Sequence, residues 1–419
     1  MFELVAEENM LAAYPRYASN KELYNNRLID VVNKFEKEFG TKSPRLFSAP
    51  GRTEIGGNHT DHQHGCVLAA AVDMDILAAA LPNGTDFINI LSEGFEKESI
   101  DVTDLTIKEG EINTSASLIR GIAAKLTEMG YPVKGFDLYA VSNVLKGSGL
   151  SSSAAYEVLI GAVMNSLFCN AENSAVKIAQ IGQYAENVYF GKMSGLMDQT
   201  ASSVGGIVSI DFNDNDNPIV KKLDFDFTKT GYSLCIVDSG ADHADLSDNY
   251  SAIPQEMRKV AQMLGVTVLR EAKEEDFISN ILKIRKECGD RAVFRALHFY
   301  RDNQRALEEA KALKENRFDD FLKIVKESGM SSLMYLQNVS VEGSVENQEV
   351  LYALALCDIL LEGKGAFRVH GGGFAGTVQA FVPNELVDKF VVGIETMLGA
   401  GACHVVSIRM AGGVEITSV

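Results

Sequence analysis

The spacing of apolar residues divides the chain into helical and extended segments. Helical patterns are predicted for residues 1–42, 115–129, 156–168, 175–189, 250–264, 290–315, 318–328 and 347–361. Strands are predicted for residues 47–57, 88–91, 98–102, 135–142, 205–212, 234–237, 367–369, 377–382 and 405–410. Residues 67–80 are apolar almost throughout and form either a pair of strands or one buried segment. Helices and strands are mixed without a regular βαβ rhythm, which favours an α+β fold.

A cluster of turn-forming residues marks the predicted domain boundary. Residues 213–218 read Asn-Asp-Asn-Asp-Asn-Pro, the strongest turn signal in the chain. The 419 residues are enough for two domains, each with its own core. We therefore expect an N-terminal domain of residues 1–213 and a C-terminal domain of residues 214–419.

The overall charge restricts the classes of partner. The chain carries 57 acidic against 39 basic side chains, a formal net charge of −18. Such a field opposes binding to nucleic acid or to an anionic membrane, although a local basic pocket for a nucleotide remains compatible with it. No apolar stretch reaches the length of a membrane span.

The cysteines and the N-terminus point to the cytoplasm. None of the six cysteines forms a C-x-x-C pair, as expected for reduced thiols in a cytosolic protein. The first residues, Met-Phe-Glu-Leu-Val-Ala-Glu-Glu, lack the basic and apolar regions of a signal peptide. We expect a cytoplasmic protein.

A glycine- and serine-rich run precedes the apolar helix at 156–168. Residues 147–155 read Gly-Ser-Gly-Leu-Ser-Ser-Ser-Ala-Ala. Backbone N–H groups of glycines can approach an anion closely, and a helix N-terminus carries partial positive charge. The run is neither a Walker A loop nor a G-x-G-x-x-G fingerprint. It is either a phosphate cradle or a simple turn that caps the helix.

A second polar cluster lies near the start of the chain. His59, His62 and His64 fall within six residues, together with Asp61. Such a cluster suggests zinc or iron, but its spacing suits neither one helix face nor one strand face, and no second cluster completes a closed site. Polar groups of this kind also suit a site for sugar hydroxyls.

Three charged residues outside that cluster have both structural and functional interpretations. Arg52 follows Pro-Gly just ahead of the polar loop. Asp198, among apolar neighbours, is either a helix N-cap or a functional carboxylate. Glu186 is either an exposed acid on a helix or a ligand. A later run, Gly371 to Gly373, is a tight hairpin connection or a close approach of backbone to another group.

The order of these motifs resembles the galactokinase branch of the GHMP kinases. Pro-Gly-Arg and Gly-x-x-His-Thr-Asp come first, Gly-Leu-Ser-Ser-Ser-Ala-Ala follows, then Met-Asp-Gln, and Gly-Gly-Gly-Phe lies near the end. The similarity runs from about residue 47 to the C-terminus. It implies a two-domain fold with the active site between the domains, and an ATP- and Mg²⁺-dependent kinase that phosphorylates the C1 hydroxyl of a sugar, galactose first among them.

The resemblance also assigns roles to residues. It makes Asp198 the catalytic carboxylate with Arg52 beside it, and Ser153 and Glu186 the groups near Mg²⁺. The implied phosphate loop comprises Gly147, Gly149, Leu150, Ser151, Ser152, Ser153 and Ala154. The implied sugar contacts are Asn58, His59, Asp61, Gly195 and Tyr250.

Several positions depart from the family pattern. Asn58 stands where the family has a glutamate that faces the C6 hydroxyl, so a sugar altered at C6, such as galacturonate or L-arabinose, is the nearest rival substrate. The family's Trp-x-x-Tyr over the adenine is here Ser-Ala-Ser-Leu at 115–118, and the chain has no tryptophan. A non-enzymatic sugar sensor is the rival from another class, although the phosphate loop and the charged residues are intact. Small-molecule partners and a monomer or weak homo-oligomer are expected.

Overall fold

The structure, a computed structural model, describes residues 7–144, 149–241 and 246–417. The α-helices there are α1 (Glu7–Ala13), α2 (Lys21–Phe39), α3 (Ser115–Glu128), α4 (Ser152–Phe168), α5 (Ala175–Tyr184), α6 (Met197–Val204), α7 (Ser247–Met263), α8 (Glu274–Cys288), α9 (Asp290–Lys314), α10 (Phe318–Ser331), α11 (Glu349–Leu361) and α12 (Val387–Leu398). The strands are β1 (Arg45–Gly56), β2 (Cys66–Pro82), β3 (Phe87–Ser92), β4 (Glu98–Asp101), β5 (Phe136–Ser142), β6 (Ile207–Asp211), β7 (Ile219–Leu223), β8 (Tyr232–Asp238), β9 (Ala366–His370), β10 (Thr377–Pro383), β11 (Cys403–Val406) and β12 (Val414–Glu415).

The larger sheet is built around β2. Its strand order is β12-β1-β2-β5-β3-β4, and β6 pairs with β2 and carries β7 at its outer edge. All pairings are antiparallel except that of β3 with β5. The apolar segment predicted at 67–80 is thus one long strand. It is buried because Ala78 and Ala80 face the core beneath α3 and α4, while Leu77 and Ala79 face that beneath α1 and α2.

The smaller sheet lies in the second half of the chain. Its order is β11-β8-β10-β9, antiparallel throughout, and the central strand β10 is buried along its whole length. Helices α11 and α12 cover one face with an apolar core. Helices α7, α8 and α9 enclose a separate apolar cluster. None of the helices in the described ranges combines the length and apolar composition that a membrane span requires.

The elements confirm most of the sequence predictions and the α+β class. The sequence predictions missed the helices α6, α8 and α12 and the short strands β7 and β12, and β11 ends at Val406 rather than continuing to residue 410. The boundary between residues 213 and 214 stays a prediction. Strands β7 and β12 follow it in sequence and nevertheless belong to the larger sheet, where β12 pairs with β1.

A buried charge network ties the C-terminal segment to the larger sheet. Asp75, on β2, accepts hydrogen bonds from Arg27 Nη1 at 2.5 Å and Tyr14 Oη at 2.9 Å, and from the Ser48 hydroxyl. Arg409 Nη1 lies 3.4 Å from the same carboxylate, and both residues are fully buried. Burial by itself would raise the pKa of Asp75, but the charges of Arg27 and Arg409 outweigh it and hold that pKa below its usual value.

We expect Asp75→Asn to lower the free energy of unfolding by about 3–5 kcal/mol, because it leaves the buried Arg409 without its counter-charge. The stabilisation by Asp75 is present above its unfolded-state pKa and is lost as the pH falls, so the two proteins should converge in acid. Urea unfolding at pH 7 and at several pH values below about 4 measures both effects, because the folded-state pKa of Asp75 lies below its usual value. Asp86→Asn, which removes an exposed partner of Lys134, is the control and should have no measurable effect. Equal unfolding midpoints for Asp75→Asn and the unmodified protein would contradict this assignment.

Candidate active site

A cavity of about 820 Å³ brings together side chains from both halves of the chain. It lies where the loop after β1, the start of α6 and helix α7 meet the loop after β9. Of the residues assigned from the sequence, those that line it are Arg52, His59, Asp61, Ser153, Glu186, Gly195, Asp198 and Tyr250. Residues separated by almost 200 positions therefore share one chamber.

Arg52 and Asp198 form a bidentate ion pair at this cavity. Arg52 Nε donates to Asp198 Oδ1 at 2.6 Å, and Nη2 donates to Oδ2 at 2.7 Å. The guanidinium is nearly buried, while the Asp198 side chain keeps 31% of its surface exposed. Burial alone would raise the pKa of Asp198, but the Arg52 charge and the hydrogen bonds from Arg52 and Ser151 lower it. Asp198 is an ionised acceptor that faces the cavity.

The glycine- and serine-rich loop is fastened to this ion pair. The Arg52 backbone N–H donates to Leu150 O at 2.9 Å, its guanidinium donates to Gly149 O, and the Ser151 hydroxyl donates to Asp198. Gly149 has φ +68°, and a Cβ there would lie 2.9 Å from Thr377 Oγ1, so the loop backbone passes close to β10. The loop is thus held in place by the catalytic candidates themselves.

Individual residues of this loop are placed differently. Ser153 is exposed at the cavity near the start of α4, whereas the side chains of Leu150 and Ala154 are buried and leave only their backbone for a ligand. Ser151 precedes α4 in a left-handed conformation (φ 55°), and Ser152 is its first residue. Gly147 lies outside the described residues.

Glu186 sits on a π-helical turn, Ala185–Phe190, that continues α5. Such turns are frequent at functional sites because they shift a side chain out of the helical register. Glu186 Oε1 pairs with Lys192 Nζ at 3.0 Å, and Oε2 accepts from Gln199 Nε2 at 2.9 Å. The same Gln199 nitrogen donates to Glu157 Oε2 at 2.9 Å. Gln199 therefore bridges the two carboxylates.

The Glu157 carboxyl group is the inner member of that pair. It is fully buried, and its Oε1 has no hydrogen-bond partner among the described residues. Burial, followed by the charge of Glu186, raises the pKa of Glu157 well above its usual value.

Glu186 and Ser153 both line the cavity and present oxygen ligands to it. A carboxylate and a hydroxyl are oxygen ligands that suit a hard cation such as Mg²⁺.

The polar loop after β1 contributes His59 and Asp61. His59 has φ +60° and its Nε2 bonds Gly372 O at 2.9 Å. Burial, with the charge of His62, lowers the pKa of His59 to about 4, so the ring is neutral at pH 7. A Cβ on Gly195 would lie 2.4 Å from Asp61 Oδ2, so a larger residue at this position would displace the Asp61 carboxylate. Within the described ranges no group of three or more His, Cys, Asp or Glu side chains is arranged to hold a metal, and His59 is instead tied to backbone.

The third glycine run closes the cavity against Tyr250. The Tyr250 hydroxyl donates to Gly373 O at 2.8 Å, and a Cβ on Gly372 would lie 2.7 Å from the Tyr250 ring. The same run passes so close to Asn338 that a Cβ on Gly373 would overlap the Asn338 carbonyl oxygen. The run also connects β9 to its antiparallel partner β10, so it is both the hairpin connection and the close approach of backbone that the sequence left open.

Asn58 does not line the cavity, which corrects its placement as a sugar contact. Its side chain is fully buried, and both amide atoms are occupied by protein groups. Nδ2 donates to Glu54 Oε1 at 2.9 Å and to Gly371 O at 2.7 Å, while Oδ1 accepts from Asn338 Nδ2 at 2.9 Å. The amide turns inward because these three partners satisfy it there.

Sequence reasoning missed four residues near the cavity. They are Glu54, Glu157, Lys192 and Gln199. Glu54 was detectable, since it lies two positions after Arg52 and the period of a strand puts both side chains on one face. The pairing of Glu157 with Gln199 had no signal in the sequence, because it arises only when α4 packs against α6.

Two family signatures match the chain. The galactokinase galactose-binding signature covers residues 33–82, and the N-terminal domain of GHMP kinases covers residues 117–206. The first contains β1, the polar loop and all of β2, and the second contains the loop before α4, Glu186 and Asp198. The two matches thus include the segments that line the cavity in the first half of the chain.

Whole-chain comparisons agree with these signatures. The galactokinase of Glaesserella parasuis serovar 5 is 31% identical over 85% of this chain and 89% of its own length, and that of Bacillus subtilis is 30% identical over 85% and 90%. The crystal structure of Lactococcus lactis galactokinase complexed with galactose superposes with a TM-score of 0.79 at 25% identity, covering 93% of this chain and 99% of that one. The chain belongs to the galactokinase family of GHMP kinases.

Proposed function

We propose that the protein transfers the γ-phosphoryl group of ATP to the C1 hydroxyl of galactose. The observation that carries this proposal is the ionised Asp198, held by Arg52 at a cavity that also contains Ser153 and Glu186. Membership of the galactokinase family and the carboxylate of Asp198 at the cavity both support this reaction. The products are galactose 1-phosphate and ADP.

In this mechanism Asp198 orients the sugar hydroxyl and takes its proton. The C1 oxygen forms a bond to the γ-phosphorus as the bond from that phosphorus to the β,γ-bridging oxygen breaks. Ionisation of Asp198 is required, because only the carboxylate can accept a hydrogen bond from the hydroxyl and then the proton. Arg52 maintains that ionised state and fixes the direction of both carboxylate oxygens.

The sugar is proposed to lie against His59, Asp61, Gly195 and Tyr250. His59 is neutral and positioned by Gly372, so it offers a hydrogen bond without adding charge. Asp61 provides an acceptor beside Gly195, where the missing side chain leaves room. These groups satisfy hydroxyls, which is what a site for a polyhydroxylated ligand requires.

The nucleotide is proposed to place its phosphates at the loop before α4. Backbone N–H groups of Gly149 to Ala154 and the N-terminus of α4 suit negative charge, and Gly147 would extend the loop. Glu186 and Ser153 would hold Mg²⁺, which when bound neutralises charge that develops on the phosphoryl oxygens. Lys192 adds a cation beside Glu186.

A cytoplasmic location and a monomeric or weakly homo-oligomeric state are also proposals.

The purified protein should convert galactose and ATP into galactose 1-phosphate and ADP, identified by ³¹P NMR, in preference to galacturonate, L-arabinose, glucose and N-acetylgalactosamine. Asp198→Asn, prepared in the same way, should lose about 10²–10⁴-fold in kcat because its amide cannot take the proton. This variant also shows that the activity does not come from a contaminating kinase. Turnover of L-arabinose in preference to galactose would redirect the assignment, and binding without turnover would favour a sensor.

Glu186→Gln should weaken Mg²⁺ binding by about 10–100-fold, because a neutral amide oxygen replaces the charged member of the proposed ligand pair, Glu186 and Ser153. Titration calorimetry of Mg²⁺ into the protein with a non-hydrolysable ATP analogue measures this directly, and the Mg²⁺ dependence of turnover should shift in parallel. Glu128→Gln, an exposed acid on α3, is the control. An unchanged Mg²⁺ affinity would remove Glu186 from the metal site.

A further inference from the structure

Glu54 is a carboxylate at the cavity to which the mechanism above gives no role. It lies on β1 two residues after Arg52, and the pairing of this stretch with β2 is regular, with Arg52 opposite Ala71 and Glu54 opposite Ala69. Side chains two apart on a strand point to the same face. Glu54 therefore reaches the same chamber as Arg52, and it lines the cavity while Asn58 does not.

One oxygen of this carboxylate is fixed and the other is not. Oε1 accepts from Asn58 Nδ2 at 2.9 Å and from Arg368 Nη2 at 2.8 Å. No described residue donates a hydrogen bond to Oε2. The side chain is 5% exposed, so water has little access to it. A nearly buried carboxylate oxygen without a donor is an acceptor that a ligand hydroxyl can satisfy.

The surrounding charges fix the position of Glu54 without satisfying it. Arg368 and Arg52 are its nearest cations, while Asp61 and Glu309 place further acidic groups near it. Burial raises the pKa of Glu54 to about 7 despite both arginines. A hydrogen bond from a neutral hydroxyl favours the ionised form, whereas a carboxylate on the ligand would oppose it.

We propose that Glu54 Oε2 accepts a hydrogen bond from a hydroxyl of the bound sugar other than the one that is phosphorylated, and that it excludes sugars with a carboxylate at that position. The proposal rests on the sugar kinase function above. Asn58 is then a positioning residue, since its amide holds Oε1 and thereby directs Oε2 toward the cavity. Asn58 in place of the family glutamate suggested that the site tolerates galacturonate. The cavity nevertheless keeps a carboxylate, because Glu54 lines it.

The role of Glu54 predicts a change in substrate binding rather than in chemistry. Glu54→Gln keeps the shape and the acceptor for Arg368 but removes the charge. We expect KM and the calorimetric Kd for galactose to rise by about 10- to 100-fold, the loss of one charge-assisted hydrogen bond, with kcat within a fewfold of normal. The ratio of kcat/KM for galacturonate to that for galactose should rise by at least as much, because the repulsion is gone.

Deoxygenated sugars identify the hydroxyl concerned. Binding of galactose and of its 2-, 3-, 4- and 6-deoxy analogues would be measured with the unmodified protein and with Glu54→Gln. For one analogue, the missing hydroxyl should weaken binding by about 10-fold or more in the unmodified protein. The same analogue should bind Glu54→Gln almost as well as galactose does. The proposal would be overturned if the effects of Glu54→Gln and of removing a hydroxyl on the binding free energy simply added for every hydroxyl. It would also be overturned if Glu54→Gln left the Kd for galactose unchanged.

Glu309→Gln is the matched control. Glu309 lies on α9, is fully buried beside the same Arg368, and neither of its oxygens bonds a described residue, but it does not line the cavity. Glu309→Gln should leave the affinity for galactose unchanged. If it lowered that affinity as much as Glu54→Gln does, both effects would be assigned to packing around Arg368. If Glu54→Gln melts below the assay temperature, Glu54→Asp replaces it in the same cycle: the shorter side chain withdraws the oxygen from the hydroxyl, so the same non-additivity is expected, whereas the retained charge should still disfavour galacturonate.

Failure of this inference is separable from failure of the proposed function. If the unmodified protein phosphorylates galactose but Glu54→Gln binds it normally, the kinase assignment stands and the role of Glu54 is refuted. If the unmodified protein neither binds nor phosphorylates galactose, both are refuted.

Discussion

The arrangement of the site depends on the ion pair between Arg52 and Asp198. Arg52 belongs to β1, Asp198 to the first turn of α6, and the loop before α4 is bonded to both through Gly149, Leu150 and Ser151. One guanidinium group therefore fixes the carboxylate proposed as catalytic and the loop proposed for the phosphates. Breaking a buried pair of this kind typically costs about 3–5 kcal/mol, so its geometry resists distortion.

The rest of the cavity is organised by buried carboxylates with different partners. Asp198 faces an arginine through two hydrogen bonds and stays ionised, whereas Glu157 has only an amide partner and its pKa is raised. Glu54 lies between these cases, with one oxygen bonded and one open. The hydrogen-bonding and charged partners of each carboxyl group set its charge state. Carboxylates at one cavity can therefore serve in proton transfer, in metal binding or in substrate recognition.

The sequence predicted the class of fold and most elements, because long apolar periodicities and glycine-rich turns are local signals. It placed Arg52, His59, Asp61, Glu186 and Asp198 at one site only through the resemblance to a family. Local patterns failed where the outcome depends on packing. Asn58 turns away from the cavity because Asn338 and Gly371, which lie 280 and 313 residues later, satisfy its amide. Helix α8 was missed because its face against α9 carries few buried apolar residues.

The central claim is that Arg52 keeps Asp198 ionised so that it can take the proton of the sugar hydroxyl. The most direct test is the pH dependence of kcat at saturating galactose and ATP in the unmodified protein, in Arg52→Lys and in Arg52→Gln. Without the Arg52 charge, only the Ser151 hydrogen bond and the Lys192 charge still oppose the effect of burial on the pKa of Asp198, so the acidic inflection should move up by about 1–3 pH units in Arg52→Gln and less in Arg52→Lys. An acidic inflection at the same pH in all three proteins would contradict the account.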